Sequence, residues 1–352
     1  MKILLKSSKS LTIIATLLFA ATSGADDTKK LSIEEEIRDS SNTWITKINY
    51  QVPDNIVSLG NTNYFPNHIF VVDKTERSLT VWKQFEVGNL KPVRHYPTDI
   101  GKNQGDKLAR GDHKTPEGIY TFLEKLEGNL DFNLYGSRAF TISYPNVFDK
   151  LLGKTGAGIW LHAVPDTVAL TRGSRGCVVV RNEVIKDISQ FISLQKTPII
   201  IKDSVNYVPI DKQKEKYQVL TTMLEDWRKA WEEKSIDKYM EFYSESFHAL
   251  KMNKRKWHRY KKELAEKYQN IKIKFSDPAV LEQKDQIWVR AFQDYQSNLH
   301  SDFGQKTIYL RYENGVPKII NEDWVENTDP TVVNSLNSSA EMGNLSQATN
   351  KL

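Results

Sequence analysis

The sequence predicts an α+β chain in two parts, a β-rich unit followed by a unit in which helices pack on a curved antiparallel sheet. Three observations lead there. Between residues 65 and 203, short apolar and alternating runs recur between Gly/Pro turn signals, with a single helix-periodic stretch among them. After about residue 217 the pattern shifts to long helical periods and then back to strands, helices first and sheet second. A length of 352 residues is long for one core, and 39% hydrophobic content with 8 Trp, 15 Tyr and 14 Phe supplies apolar surface for two.

In chain order, "MKILLKSSKSLTIIATLLFAATSGADD" opens with Lys2, Lys6 and Lys9 and no acid. It continues in an apolar run from Leu11 to about Ala21 and closes on Ser23 and Ala25. A basic start, short apolar middle and small-residue exit form a signal-peptide layout over residues 1–25, with a cut before Asp26 and export from the cytoplasm. The run is short for a membrane span. Losing its three lysines lowers the formal net charge from +5 to about +2, so the exported chain is near neutral and its total charge points to no polyanionic partner.

Residues 26–62 are polar and mixed. "IEEEIRDSSNTWITKI" puts Ile33, Ile37, Trp44 and Ile48 on one side of a short helix, and the segment reads as an N-terminal arm. Within the unit at 63–205, "HIFVVDKTERSLTVWKQ" predicts a hairpin turning at Lys74 to Arg77. "DIGKNQGDKLARGDHKTPEGIYTFLEKL" is a charged, Gly-rich loop that ends in a Thr115-Pro116-Glu117-Gly118 turn before another strand. "GIWLHAV", "GCVVVRN" and "TPIIIKD" are short strands, and "EVIKDISQFISL" is a helix.

Residues 206–216 read as a linker, so the first unit is expected to fold without the rest. In the unit at 217–326, Leu220, Leu224, Trp227 and Trp231 at i, i+4, i+7 and i+11 predict a helix, and "NKRKWHRYKKELAEKYQN" a second. Strands follow, two of them joined at the turn "ENGVP". The Ser/Asn/Thr-rich tail at 327–352 has little to bury and is expected to be disordered.

Cys177 is the only cysteine. An exported protein cannot bridge it internally, which leaves an inert buried thiol, an intermolecular bridge or a nucleophile. Its approach, "GSRGC", carries Gly173 and Gly176, which allow a sharp turn into the strand. The N–H groups of Gly176 and Cys177 are candidates for an oxyanion hole. Fifteen residues upstream, His162 lies on an apolar strand. A thiol of ordinary pKa, about 8.5, needs such a base nearby, and a strand, a loop and a return strand would bring the two together.

Other chemistry is not indicated. No His/Cys/Asp cluster has metal-ligand spacing, and neither "GKNQG" nor "GNTNYFP" ends as a phosphate loop does, so no metal and no cofactor are expected. "KMNKRKWHRYKK" has seven Lys/Arg and no acid, but export argues against nucleic acid and it reads as a solvated helix face. The aromatics at 227, 231, 239, 242 and 243 read as core, with an open pocket as the alternative. His113 reads as a rim residue.

A histidine on an apolar strand, fifteen residues, and then Ser-x-Gly-Cys with an apolar residue after it resembles the catalytic domain of the L,D-transpeptidase (YkuD) family. "HIFVVDKTERSLTVW" is similar to that family's opening hairpin, "GDHKTPEGIYTF" to its Gly-Asp-x-x-Thr-Pro-x-Gly turn, and "YPNVFD" to a segment of related members. Residues 213–326 resemble an NTF2-like domain. The pairing is similar to proteobacterial L,D-carboxypeptidases that set cell shape by trimming wall peptides.

The resemblance implies a periplasmic enzyme acting on peptidoglycan stem peptides. Cys177 would attack the L-centre carbonyl of the third residue, diaminopimelate, with D-alanine leaving. His162 would act as base and then acid, oriented by the backbone carbonyl of Ala163. Ser174 and Arg175 would join substrate binding. The acyl group would pass to an amine, as in an L,D-transpeptidase. The alternatives are water as acceptor, giving an L,D-carboxypeptidase, and a non-catalytic wall-binding protein. A wall polymer or a protein is the ligand to expect for the NTF2-like part. Two positions depart from the commonest pattern: Arg175 stands where histidine is usual, and Ala163 where glycine or serine is. The arginine of the usual Cys-Ile-Arg is also absent; Val179 stands there and Arg181 comes two residues later. A guanidinium grips a carboxylate with two parallel hydrogen bonds, the role expected of Arg175.

Overall fold

A computed structural model of the protein describes residues 51–61, 63–86 and 88–327. The expected signal segment, the helix within 26–50 and the tail beyond Asn327 lie outside the described residues. Two short strands, β1 (Val52–Pro53) and β2 (Ile56–Leu59), precede the expected hairpin of β3 (His68–Asp73) and β4 (Ser78–Glu86). The hairpin pairs Asp73 with Ser78, and Asp73 caps its turn by accepting from the Glu76 N–H at 2.8 Å. There follow β5 (Asn89–Pro97), β6 (Gly118–Leu126), β7 (Ala139–Ile142), β8 (Trp160–Val164), β9 (Val178–Arg181) and β10 (Pro198–Lys202).

These form an eight-stranded sheet in the order β5-β4-β3-β10-β6-β7-β8-β9. The β10–β3 and β8–β9 pairs are parallel. The sheet curls until its two ends meet. Asp99, just past one edge strand, exchanges both backbone hydrogen bonds with Val179 on the other, at 2.7 and 2.8 Å. Along β3 and β10, alternate residues enter two different cores: Phe70, Val72, Ile199 and Ile201 go inside the curl, while Ile69, Val71 and Ile200 go outside it. Burial on both faces explains why these strands read as unbroken apolar runs.

The second unit begins with β11 (Tyr207–Val208), paired to β1, and a helix at Ile210–Glu232. Helices at Ile236–Met240 and Lys254–Lys267 flank the two-residue strands β12 (His248–Ala249) and β13 (Met252–Asn253). Then come β14 (Ile271–Phe275), β15 (Ala279–Gln283), β16 (Gln286–Ser297), β17 (Ser301–Glu313) and β18 (Val316–Glu326). The last two turn at Asn314 and Gly315, both at positive φ, as a tight hairpin requires. Leu220, Leu224, Trp227 and Trp231 are buried on one helix face, as their spacing predicts. The antiparallel sheet runs β18-β17-β16-β15-β2, with β14 also paired to β16.

Several expectations change. Part of the N-terminal arm is the edge strand of the second sheet: β2 pairs with β15, more than 200 residues away, and Ile56, Val57 and Leu59 are buried. The expected linker is mostly helix. Gln213, buried within it, places its amide nitrogen 2.9–3.1 Å from the carbonyls of Pro53, Asp54 and Ile56. The two units share a core in which Ile69, Val71, Trp82 and Ile200 of the curled sheet meet Leu281, Trp288 and Phe292 of the other. The basic helix is not solvated all round: the Lys261 ammonium sits 4.3 Å from the Trp231 ring centroid and 4.8 Å from that of Trp257, and burial lowers its pKa to about 8. Trp227, Trp231, Tyr239 and Tyr243 are core.

Candidate active site

His162 is buried at the middle of β8, in register with Ala139 of β7 and Val179 of β9. Because β8 and β9 are parallel rather than a returning pair, the chain from Pro165 onward must cross back over the sheet end before entering β9. Cys177 is the last residue of that crossover, next to Val178, which pairs with Leu161. Gly176 makes the entry possible. Its φ is +128°, and a Cβ there would lie 2.7 Å from the Lys114 carbonyl oxygen, inside contact distance. Ser174 closes the turn: its hydroxyl donates to the Cys177 carbonyl at 2.7 Å and accepts from the Gly176 N–H at 3.0 Å. Both groups are therefore satisfied within the loop. Ser174 shapes the turn while also lining the cleft, and the Gly176 N–H is taken. Of the expected oxyanion pair, the Cys177 N–H remains.

The imidazole is held as the resemblance implies. Nδ1 of His162 lies 2.8 Å from the Ala163 carbonyl oxygen. A carbonyl only accepts, so Nδ1 carries the proton and Nε2 keeps its lone pair. The ring of Tyr135 packs edge-on against it, centroids 5.2 Å apart. Burial lowers the His162 pKa; the Ala163 bond opposes this, Arg172 adds to it and Asp99 opposes it. Burial likewise pushes the Cys177 thiol up to about 11, against the Trp160 backbone N–H and the charge of Lys107. Both shifts favour the uncharged forms, a thiol and an imidazole.

Two residues that no local pattern marks hold the crossover in place. Asp99 accepts from the backbone N–H groups of Gly173 at 2.7 Å and Ile100 at 2.9 Å, and pairs with Arg77. Arg77 in turn donates to the Leu170 carbonyl at 2.8 Å. Their partners on the crossover, Gly173 and Leu170, are more than 70 residues away in sequence, so only the closed sheet reveals them. The loop before β6 forms a further wall of the cleft. It is tied down by three buried lysines: Lys74 on Glu117 at 2.8 Å, Lys107 on Asp112 at 2.7 Å, and Lys154 on Asp106 at 2.7 Å and Asp149 at 2.8 Å.

Cys177 and His162 open into one cleft of about 660 Å³, lined also by Tyr135, Trp160, His113 and Arg175. Among the described residues, no group of three or more His, Cys, Asp or Glu stands together as a metal site.

Residues 67–201 match the L,D-transpeptidase catalytic domain (YkuD), and residues 219–323 match the Cds6 C-terminal NTF2-like domain. Among solved structures, Bd1075 of Bdellovibrio bacteriovorus is 44% identical with a TM-score of 0.73, covering 79% of this chain and 99% of its own. The chain belongs to the L,D-transpeptidase (YkuD) family. It also carries an NTF2-like domain at 219–323. Pgp2 of Campylobacter jejuni, a helical cell shape determining protein, is 27% identical with a TM-score of 0.60, covering 80% of this chain and 98% of its own. No curated protein is similar enough to count as a match.

Proposed function

We propose that this protein is an exported cysteine enzyme that cleaves peptidoglycan stem peptides at the bond between the third residue and a terminal D-alanine. The observation that carries the reading is the tautomer of His162. With Nδ1 committed to Ala163, Nε2 is a free base in the same cleft as the chain's only thiol. As the sulfur attacks the L-centre carbonyl, its proton passes to Nε2, and the oxyanion forms beside the Cys177 N–H. His162 then protonates the departing amine, and a thioester remains. Water or an amine attacks the thioester, loses a proton to His162, and releases the acyl group as the thiol is restored.

The lining of the cleft favours water. An acceptor amine arrives as an ammonium, and among the described residues no Asp or Glu lines the cleft to hold it. This supports L,D-carboxypeptidase activity over the amine transfer expected from the catalytic domain alone. The likeness to Pgp2 supports a role in cell shape. Incubation with purified disaccharide tetrapeptides followed by mass spectrometry tests the reading. Loss of D-alanine without dimers is expected; cross-linked dimers would restore the transpeptidase, and unchanged tetrapeptide would leave a wall-binding protein.

A further inference from the structure

The cleft carries a charge pattern that acyl transfer alone does not require. Lys102, Lys107, Arg110, Arg172 and Arg175 line it. Lys107 is neutralised by Asp112. The other four are exposed, and among the described residues none of their side chains is held by an acid or a hydrogen-bonding partner. The chain as a whole is nearly balanced, with 49 Lys/Arg against 44 Asp/Glu, so four unpaired cations in one cleft are a local feature.

They stand on both walls. On the nucleophile side, the Lys102 N–H donates to the Ser174 carbonyl at 3.0 Å. The Lys102 side chain lies over Gly173, where a Cβ would come within 2.6 Å of its Cγ. Arg172 is the next residue back, close enough to His162 to bear on its charge. Across the cleft, the Arg110 backbone donates to the Thr155 hydroxyl at 3.3 Å and abuts Gly156. Asp99, behind the nucleophile wall, is occupied by Arg77, Gly173 and Ile100.

We infer that Lys102, Arg110 and Arg172 read carboxylates on the peptide, making the enzyme selective for stems whose side-chain carboxylates are free over the same stems with those groups amidated. The inference rests on the stem-peptide reading above. Amidation keeps the shape of the group and removes its charge. A charge-assisted bond to a guanidinium or ammonium is then exchanged for a weaker one, and a cation is left without its counter-ion.

The test reads cleft charge and substrate choice separately. Cys177 is the only thiol, so alkylation by anionic iodoacetate and by neutral iodoacetamide, two reagents of nearly equal size, samples the cleft without any turnover. Against a small free thiol, the iodoacetate/iodoacetamide rate ratio should be several-fold higher in the protein. It should fall as ionic strength passes about 0.1 M, where the screening length drops to about 10 Å. It should fall also in the Lys102→Gln/Arg110→Gln/Arg172→Gln variant, and be retained in the charge-keeping Lys102→Arg/Arg110→Lys/Arg172→Lys variant. A ratio equal to that of the free thiol overturns the charged cleft.

In parallel, kcat/KM is measured for two tetrapeptides differing only in amidation of the diaminopimelate side-chain carboxylate. A preference of about tenfold or more for the free acid is expected, collapsing toward one in the glutamine variant. Equal release of D-alanine from both peptides overturns the selectivity. Release from neither, with the iodoacetate preference intact, overturns the stem-peptide reading and this choice of ligand with it, and leaves only an anion-attracting cleft.

Discussion

The His162 ring is fixed by one backbone carbonyl, and its chemistry follows from that bond and from burial. Burial lowers its pKa below the ordinary 6.5 and raises the Cys177 thiol to about 11, and both shifts favour the uncharged forms. The base is active when unprotonated. D-alanine release should therefore fall away on an acid limb centred below pH 6.5 and stay level through neutrality. Iodoacetamide labelling of Cys177 should keep rising well above pH 9; a labelling midpoint near 7 would mean a thiolate–imidazolium pair instead. His162→Ala should lower kcat by about 10²–10⁴-fold, and Cys177→Ala should abolish turnover in steady-state assays. Asp99→Asn keeps the shape of the side chain but gives up its charge toward Arg77 and His162. Release of D-alanine should drop about tenfold as the crossover loosens, and the acid limb should move to lower pH because Asp99 raises the His162 pKa. An unmoved limb would show that Asp99 acts through position alone. Cys177, His162 and Ala163 were legible in sequence because the family motif marks them. Asp99 and Arg77 were not, since each is defined by partners distant in the chain.

Among the elements, the turn into β9 tolerates little. Gly176→Ala sets a Cβ against backbone, not against a yielding side chain, and forces an L-residue into a φ that costs of order 1–3 kcal/mol. Turnover should be lost and the melting temperature lowered in calorimetry. A variant of ordinary activity would mean that the turn is not needed as drawn. Hairpins and amphipathic helices were readable because their signals are local: the β3–β4 turn, the Asn314-Gly315 turn, and the i, i+4, i+7 stripe of the helix at Ile210–Glu232. The parallel pairing of β8 with β9 was not, since a short apolar strand looks the same in either direction. Nor was the recruitment of β2 to the second sheet, whose partner β15 is more than 200 residues away.

For the molecule as a whole, the shared core joins the two units. A chain ending near residue 210 would expose Trp82, Ile69, Val71 and Ile200, each worth about 1.5–3 kcal/mol when buried. Such a truncation should be insoluble or aggregate in size-exclusion chromatography; a soluble fragment with a cooperative melt would show that the first unit stands alone, as the linker reading expects. Acid should weaken the fold in two stages. Burial lowers His68 and His95 to about 4. Their folded pKa is depressed, so stability is fully present above the unfolded value of 6.5 and declines as the unfolded chain takes up protons between 6.5 and about 4. For Glu117, burial opposes ionisation, but Lys74 and Lys284 hold the carboxyl below its usual range. Asp112 is held low as well, by Lys107 and three backbone N–H groups against a burial penalty. Their contribution is present above the ordinary carboxyl pKa and is lost below about pH 4. Melting temperature should hold from pH 7 to 9 and decline in both windows; a flat profile down to pH 5 would contradict the histidine burial.

By itself the sequence determined the elements with local signals and the α+β order, and through its family motif it marked Cys177, His162 and Ala163 as the candidate site. Periodicity, turn chemistry and a short motif all act over a few residues, so they survive in the linear text. The tertiary structure alone decided that the curled sheet closes through Asp99 and Val179, that Arg77 and Asp99 hold the nucleophile loop, that four unpaired cations gather around Cys177, and that the units share one core. Each of these depends on contacts between residues far apart in the chain, where burial and charge pairing are set by the meeting of distant surfaces and leave no periodic trace in either segment.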